Sequence, residues 1–453
     1  MTDEKYPILN SKDVFCLPVG DFFEVKSDAC MLVYSPKANT FFLATPQEVD
    51  HIELMLKRGE TNKVIDALLR QTSCEEQILG EIEYSNATTL FLLLNERCNF
   101  HCQYCYSAGG RSNQELSMVE IQPVVDFFLS SHREDKQTCT IMFVGGGEPT
   151  LSWAVVKATT TYAETRAKEF GIRVNFRLST NGAILNEEMI EFYKKHKFSL
   201  QLSFEVLPDV QNFQRGQWSI VDAHLKKLIE EKIPCNVRST LTKENVDRMS
   251  ETVAFLHDNY HGIQTLSCEP VVDAEYFTTV ERVDEFFSRY IKSFSEAYEL
   301  GRKYNIQLQS SICDSVWKIR ERFCGNLICL TPYGTLTTCP NISAPQEADY
   351  EASVFAKVDV TKGEILFDNS AYKRLKYNTI HNVPECQECW ARWNCGSGCP
   401  NQRRVYSKDI FLTICKYTKI MLIESLLREL FFKYQKKTGR NLRPEIISKL
   451  REV

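Results

Sequence analysis

The spacing of apolar and polar positions changes character along the chain. Near the N-terminus MLVYS and TFFLA flank the turn PKAN, two short apolar runs that predict a β-hairpin. Thr45 then precedes Pro46 and lies three residues before Glu48, so an N-cap, a first-turn proline and a capping box coincide. A helix is predicted from there through HIELMLKR to Gly59, and a second over NKVIDALLRQ. From residue 87 to about 310, TLFLLLN, TIMFV, RVNFRLS, FSLQLSF, IPCNVRST and IQTLSCEPV alternate with helical segments, six β/α units in all. That alternation predicts an α/β fold with a parallel sheet and outer helices, whose chemistry gathers at the C-terminal ends of the strands. Residues 311–416 break the rhythm with cysteines among Gly and Pro, and from Lys416 to Tyr434 a stripe of Ile420, Ile423, Leu427, Leu430 and Phe431 predicts an amphipathic packing helix. Four segments are therefore expected, at 1–86, 87–310, 311–416 and 417–453.

Composition narrows the partners. With 54 basic and 59 acidic residues and a net charge of −5, nothing global favours nucleic acid or an anionic membrane. The start MTDEKYPILN lacks the basic and apolar regions of a signal peptide, and no apolar run approaches the roughly 20 residues that span a bilayer, so a cytoplasmic location is expected. In a reducing compartment the 18 cysteines are metal ligands or buried small hydrophobes rather than disulfides.

Their grouping separates those two uses. Cys98, Cys102 and Cys105 read CNFHCQYC directly after an apolar strand. Three thiolates hold three irons of a cubane [4Fe-4S] cluster and leave the fourth free for a small-molecule ligand. A zinc site closed by His101 is the alternative, although zinc favours CxxC knuckles. The CxxxCxxC run, with Tyr104 as the aromatic before its last cysteine, resembles the signature of the radical S-adenosylmethionine (SAM) superfamily. That resemblance implies an open six-unit partial barrel, a SAM-binding [4Fe-4S] cluster, reductive cleavage of SAM to a 5′-deoxyadenosyl radical, and an electron donor such as flavodoxin or ferredoxin.

Strand ends in order offer matching groups. GGGEP follows the second strand, and Gly145, Gly146 and Gly147 permit close backbone approach and carbonyl contacts to the SAM ammonium, with Glu148 steadying the turn. STNG ends the third strand, where Ser179 and Asn181 resemble family residues near the ribose and methionine. Ser203 and Glu205 end the fourth in SFE, where many relatives carry an aspartate; Glu205 still offers a carboxylate to ribose hydroxyls. Arg238, in VRST, resembles a residue that pairs with the SAM carboxylate. Structural roles compete at each position: a turn, an N-cap, a barrel salt bridge.

A second set of cysteines has the spacing C-x9-G-x4-C from Cys324 to Cys339, then C-x2-C-x5-C-x3-C over Cys386, Cys389, Cys395 and Cys399, then Cys415. This resembles the SPASM auxiliary-cluster domain of enzymes that act on peptides and proteins. With Cys329 the thiolates suffice for two further [4Fe-4S] clusters. The resemblance assigns Cys324, Cys329, Cys339 and Cys399 to one, and Cys386, Cys389, Cys395 and Cys415 to the other; a treble-clef-like zinc site competes. Cys16, Cys30, Cys74, Cys139, Cys235, Cys268 and Cys313 remain as buried hydrophobes.

Within that family the segment before Cys98 is similar to a winged-helix-like recognition domain that binds a precursor's leader peptide by strand addition. The expected activity is oxidative modification of a ribosomal precursor peptide, forming a thioether or carbon-carbon cross-link. An anaerobic sulfatase-maturing enzyme is the alternative, but those enzymes start their cluster motif near the N-terminus and carry an aspartate where this chain has Pro340. A non-catalytic electron-transfer protein is the alternative from another class, disfavoured by GGGEP and STNG. No acid or base is identified.

Overall fold

The computed structural model describes residues 8–10, 13–19, 31–70, 87–108, 111–131, 138–324, 327–347 and 349–439; Cys30 and Cys74, and Gln71 at the end of the second predicted helix, lie outside them. The chain forms two compact units, one of residues 1–80, 311–323 and 378–453, the other of 81–310 and 324–377. This division cuts across the segments expected from the sequence.

In the first unit β1 (Ile8–Asn10), β2 (Val14–Pro18), β3 (Met31–Ser35) and β4 (Thr40–Ala44) form an antiparallel sheet in that order. The predicted hairpin is β3–β4, with Met31 opposite Ala44 and Ser35 opposite Thr40. β2 carries no alternating sequence signal, since Val14 to Leu17 are all fully buried. The helix Pro46–Arg58 starts as predicted: the Thr45 hydroxyl accepts from Glu48 N at 3.3 Å, Glu48 accepts from Thr45 N at 2.7 Å, and Gly59 closes it at φ 67°. Lys63–Leu69 is the second helix, capped by Asn62.

The C-terminal helix runs from Lys408 to Thr438, so it begins earlier than the stripe suggested and carries Cys415. Its Leu422, Ile423, Leu426 and Leu427 share one core with Phe15, Leu17, Leu32, Tyr34 and Trp390. The first sheet, the last helix and the Cys386–Cys399 segment are thus one hydrophobic body.

The second unit is built on a single eleven-stranded sheet. β5 (Thr89–Leu92), β6 (Thr138–Phe143), β7 (Arg173–Thr180), β8 (Ser199–Ser203), β9 (Cys235–Leu241), β10 (Thr265–Pro270) and β11 (Gln307–Gln309) are parallel neighbours in chain order. The six predicted strands are β5 to β10, and the sheet is the expected partial (β/α)6 barrel. On β5 to β8 alternate residues such as Leu92, Ile141, Phe143, Leu178 and Leu200 are buried in a core with Val125 and Phe128 of the helix Met118–Ser130. The opposite face of those strands carries Met142, Arg177, Ser179, Gln201 and Ser203, none fully buried.

The sheet does not stop at β5. β12 (Leu327–Leu330) pairs parallel with it, Cys329 beside Phe91, and β13 (Thr335–Thr337), β14 (Val354–Asp359) and β15 (Glu364–Phe367) follow antiparallel. Residues 324–377, expected in a separate cysteine-rich segment, therefore extend the barrel sheet. Their strands are short, and the cysteines among them mask the apolar pattern.

Candidate metal and cofactor site

The loop after β5 carries Cys98, Cys102 and Cys105. Each sulfur meets an N–H donor from a different part of the second unit: Arg111 Nη2 to Cys105 Sγ at 3.2 Å, Arg215 Nη1 to Cys102 Sγ at 3.7 Å, and Asn181 Nδ2 to Cys98 Sγ at 3.8 Å. Burial pushes the Cys102 thiol up; Arg215 opposes this, and Cys105 and Cys98 reinforce it. Sulfurs ringed by donors suit thiolates on a cluster, whose potential such hydrogen bonds tune. Among the described residues no three Cys, His, Asp or Glu side chains stand close enough to share one ion. The thiolates of a cubane bind different irons and need not do so.

GGGEP secures this loop. Gly145 and Gly146 have φ 67° and 65°, and a Cβ on Gly146 would lie 2.5 Å from Asn95 O, one on Gly147 only 1.9 Å from Arg97 O. Gly147 N and Glu148 N donate to those carbonyls at 2.7 and 2.8 Å. The glycines therefore let the turn approach the chain entering the cysteine loop, a closer constraint than approach to a cofactor. Glu148 is 3 % exposed. Its Oε1 accepts from Thr150 Oγ1 and Thr180 Oγ1, both at 2.7 Å, and Oε2 from Asn181 N at 2.8 Å. Burial raises its pKa above the ordinary value despite these donors. Asn181 also donates to Asn99 Oδ1 at 2.8 Å, so Glu148, STNG and the cysteine loop form one polar chain.

A second buried carboxylate organises the other side. Glu205 Oε1 accepts from Arg215 Nε at 2.8 Å and from the Tyr104 hydroxyl; Oε2 accepts from Ser239 Oγ at 2.6 Å and Thr240 N at 3.0 Å. The Arg215 guanidinium lies 5.1 Å from the Tyr104 ring centroid. With four protein donors on its two oxygens, Glu205 has no oxygen left in this arrangement for the ribose contact expected of it. Ser203 and Arg238 are register partners on β8 and β9, Arg238 exposed.

Arg111 and Arg215 were missed from the sequence. Arg215 sits in LPDVQNFQRG, which departs from the family pattern after SFE; the helix Pro208–Gln214 uses that stretch to return an arginine to Glu205. A lone arginine between a short helix and a glycine was the available signal.

The later cysteines are divided between the two units. Cys329, fully buried, is pushed up by burial and then by Cys339 and Cys324. In the first unit, burial pushes Cys395 up to about 12, with Cys389 and Cys386 adding to it, and Cys415 is raised by burial and by Cys395, Cys389 and Cys386. Cys399 belongs to the first unit and Cys324, Cys329 and Cys339 to the second. Cys16, Cys139 and Cys268 are buried, whereas Cys235 and Cys313 are partly exposed. No described helix is long and apolar enough to cross a membrane.

A parallel partial barrel with an open three-cysteine loop after its first strand defines a class of iron–sulfur enzyme scaffold. Residues 92–256 match the model of the Radical SAM superfamily. A domain of that family implies a [4Fe-4S] cluster and SAM. An uncharacterized protein of Methanocaldococcus jannaschii is 23% identical over 265 residues, covering 56% of this chain and 85% of its own. A cysteine-type anaerobic sulfatase-maturating enzyme of Clostridium novyi is 19% identical over 327 residues, covering 67% and 85%. The solved structure of native anSMEcpe with bound AdoMet and Cp18Cys peptide has a TM-score of 0.55 at 15% identity, covering 74% of this chain and 98% of that one, a likeness of fold.

Proposed function

We propose that the protein is a radical SAM maturase of a ribosomal precursor peptide. A bound cluster with SAM supplies the one-electron chemistry that yields a 5′-deoxyadenosyl radical. Cys98, Cys102 and Cys105 hold the cluster; Arg111, Arg215 and Asn181 fix their sulfurs; and Tyr104, Gly145 to Gly147, Glu148, Ser179, Ser203 and Arg238 shape the SAM end of the barrel. The later cysteines would hold two auxiliary clusters, which would supply a place for the electron left over when the new bond closes. The peptide class is supported by relatives named for acting on sulfatases and by a fold neighbour with a bound peptide.

The observation that carries a leader-guided reaction is β4. Among the described residues it has one strand neighbour, β3, and so presents an edge to which an extended peptide adds. Formylglycine formation is the second reading, favoured by the sulfatase-maturating relatives. Against it, Pro340 offers no carboxylate at the position of the expected aspartate, and its carbonyl lies 3.1 Å from where a Cβ on Gly145 would stand.

The test is anaerobic, reduced enzyme with SAM and the precursor encoded beside it. The expected outcome is 5′-deoxyadenosine and a peptide lighter by the hydrogens lost in cross-linking, with amide exchange in Thr40–Ala44 slowed by the leader. Unchanged precursor together with an aldehyde on a sulfatase-derived peptide would establish the second reading.

A further inference from the structure

Near the cysteine loop of the second unit lies a cavity of about 340 Å³ that Gln103, Tyr104, Gln214, Val271 and Tyr276 help to line, together with five charged residues between Lys243 and Arg282. It adjoins the ends of β9 and β10, where a barrel of this type binds its substrates. Gln214 is 2 % exposed, and neither its Nε2 nor its Oε1 has a hydrogen-bond partner. Gln211 shows what the same side chain does when satisfied: Oε1 accepts from Glu205 N and Nε2 donates to Gly216 O, both at 2.9 Å.

A buried carboxamide with both ends unmade costs the desolvation of two polar groups, and such a residue needs an explanation. The backbone around Gln214 is firmly placed. Gln103 N donates to Gln214 O at 3.0 Å, and Gln103 Nε2 donates to Phe213 O at 2.8 Å. These bonds stitch the end of the helix Pro208–Gln214 to the loop between Cys102 and Cys105, so a group paired with Gln214 is positioned against the cluster loop.

We propose that Gln214 is a substrate-positioning residue that pairs with the backbone of one residue of an extended peptide in this cavity. In an extended strand the N–H and C=O of one residue point to the same side, the arrangement that lets strand partners exchange both bonds. Oε1 accepts that N–H and Nε2 donates to that C=O. Tyr104, Val271 and Tyr276 give the cavity apolar surface for a flanking side chain beside its charged residues. The inference rests on the peptide-maturase reading and adds where, on the cysteine-loop side of the barrel, the chain being modified is gripped.

The experiment compares wild type with Gln214→Met, which keeps length and removes hydrogen bonding. Each is titrated with the precursor peptide and with versions in which single backbone amides are replaced by esters. Gln214→Met is expected to bind peptide about ten-fold more weakly, the worth of one buried amide pairing. In wild type one ester position costs a similar factor, and in the variant that same position costs nothing. Iron content and SAM affinity stay unchanged, and the thermal midpoint does not fall, because an unpartnered group has been removed.

An adenine edge also pairs with a glutamine amide. A variant with weaker SAM binding and unchanged peptide affinity would therefore overturn the proposal, as would ester costs identical in the two proteins. A lowered midpoint with peptide affinity intact would also overturn it, by making Gln214 structural. If wild type binds no precursor peptide at all, the maturase reading fails with it; if it binds peptide without regard to Gln214, only this inference fails.

Discussion

The cysteines of the 98–105 loop and those of the 386–415 region share their ligand chemistry and differ in how much apolar packing surrounds the sulfurs. Each sulfur of the loop meets a side-chain N–H, two of them from arginines. In the later region Cys386 packs on Ile319, Ile380 and Trp393, and Cys389 packs in the core shared by Tyr34, Trp390 and Leu422. Hydrogen bonds and positive charge at sulfur favour added electrons, whereas an apolar sheath limits how far the charge on a group changes. Both regions bring positive charge to sulfur, Arg403 to Cys386 and Lys419 to Cys389 in the later one, and the later region adds apolar packing on Cys386 and Cys389.

The sharpest way to break that contrast is to remove one ligand from each. Cys102→Ala is expected to reduce 5′-deoxyadenosine formation to background, while Cys389→Ala still cleaves SAM but loses peptide product and stability. Equal loss of SAM cleavage in both would erase the distinction. Next in size is the buried pair beside the loop. Glu205→Ala leaves Arg215 uncompensated with its side chain 9% exposed, which is expected to cost about 3–5 kcal/mol in a denaturant titration of the cluster-free protein. Arg111→Leu keeps the fold and removes one sulfur donor, and the expected result is roughly a 10–100-fold drop in SAM cleavage with a lowered cluster potential.

The smallest expected effect is in the pH dependence of stability, where the two regions have opposite signs. Asp13, 2.9 Å from Lys37 and paired with Arg392 between Cys389 and Cys395, is 5 % exposed. Burial opposes its ionisation, but Lys37, Trp393 and Arg392 together hold its carboxyl below the ordinary 3.8. Its stabilisation is present above that pH and is lost as pH falls through the lowered folded value. Glu148, raised above 4.5, holds its proton more tightly when folded, so its contribution declines as pH rises past 4.5. Urea midpoints from acid to neutral pH should therefore lose part of their acid limb in Asp13→Asn and keep the Glu148 decline.

Much of this arrangement was legible in the sequence where a pattern was local. The capping box at Thr45 and the six barrel strands follow from a few neighbouring residues each, and so does the three-cysteine loop. What could not be read was pairing between distant segments. LICL shows no alternation that would assign it to the edge of β5, and TFFLA does not reveal that its sheet shares a core with a helix near the other terminus. The same limit applied at the site. The sequence marks Glu205 as a carboxylate at a strand end, but its saturation by Arg215, Tyr104, Ser239 and Thr240 depends on a helix turning back, which no spacing rule encodes.

The core shared by the first sheet and the last helix also sets an order of events during synthesis. The Tyr34 hydroxyl donates to Asn394 at 2.8 Å across a separation of 360 residues. Contacts that distant form late, because the intervening chain must exist before they repay its closure. The sheet that leaves the ribosome first waits for Trp390 and Leu422 to complete its core, with its edges exposed meanwhile. Strands β5 to β11 pair in the order they are made. A chain halted before the last helix is therefore expected to hold a largely assembled barrel and an unfinished beginning.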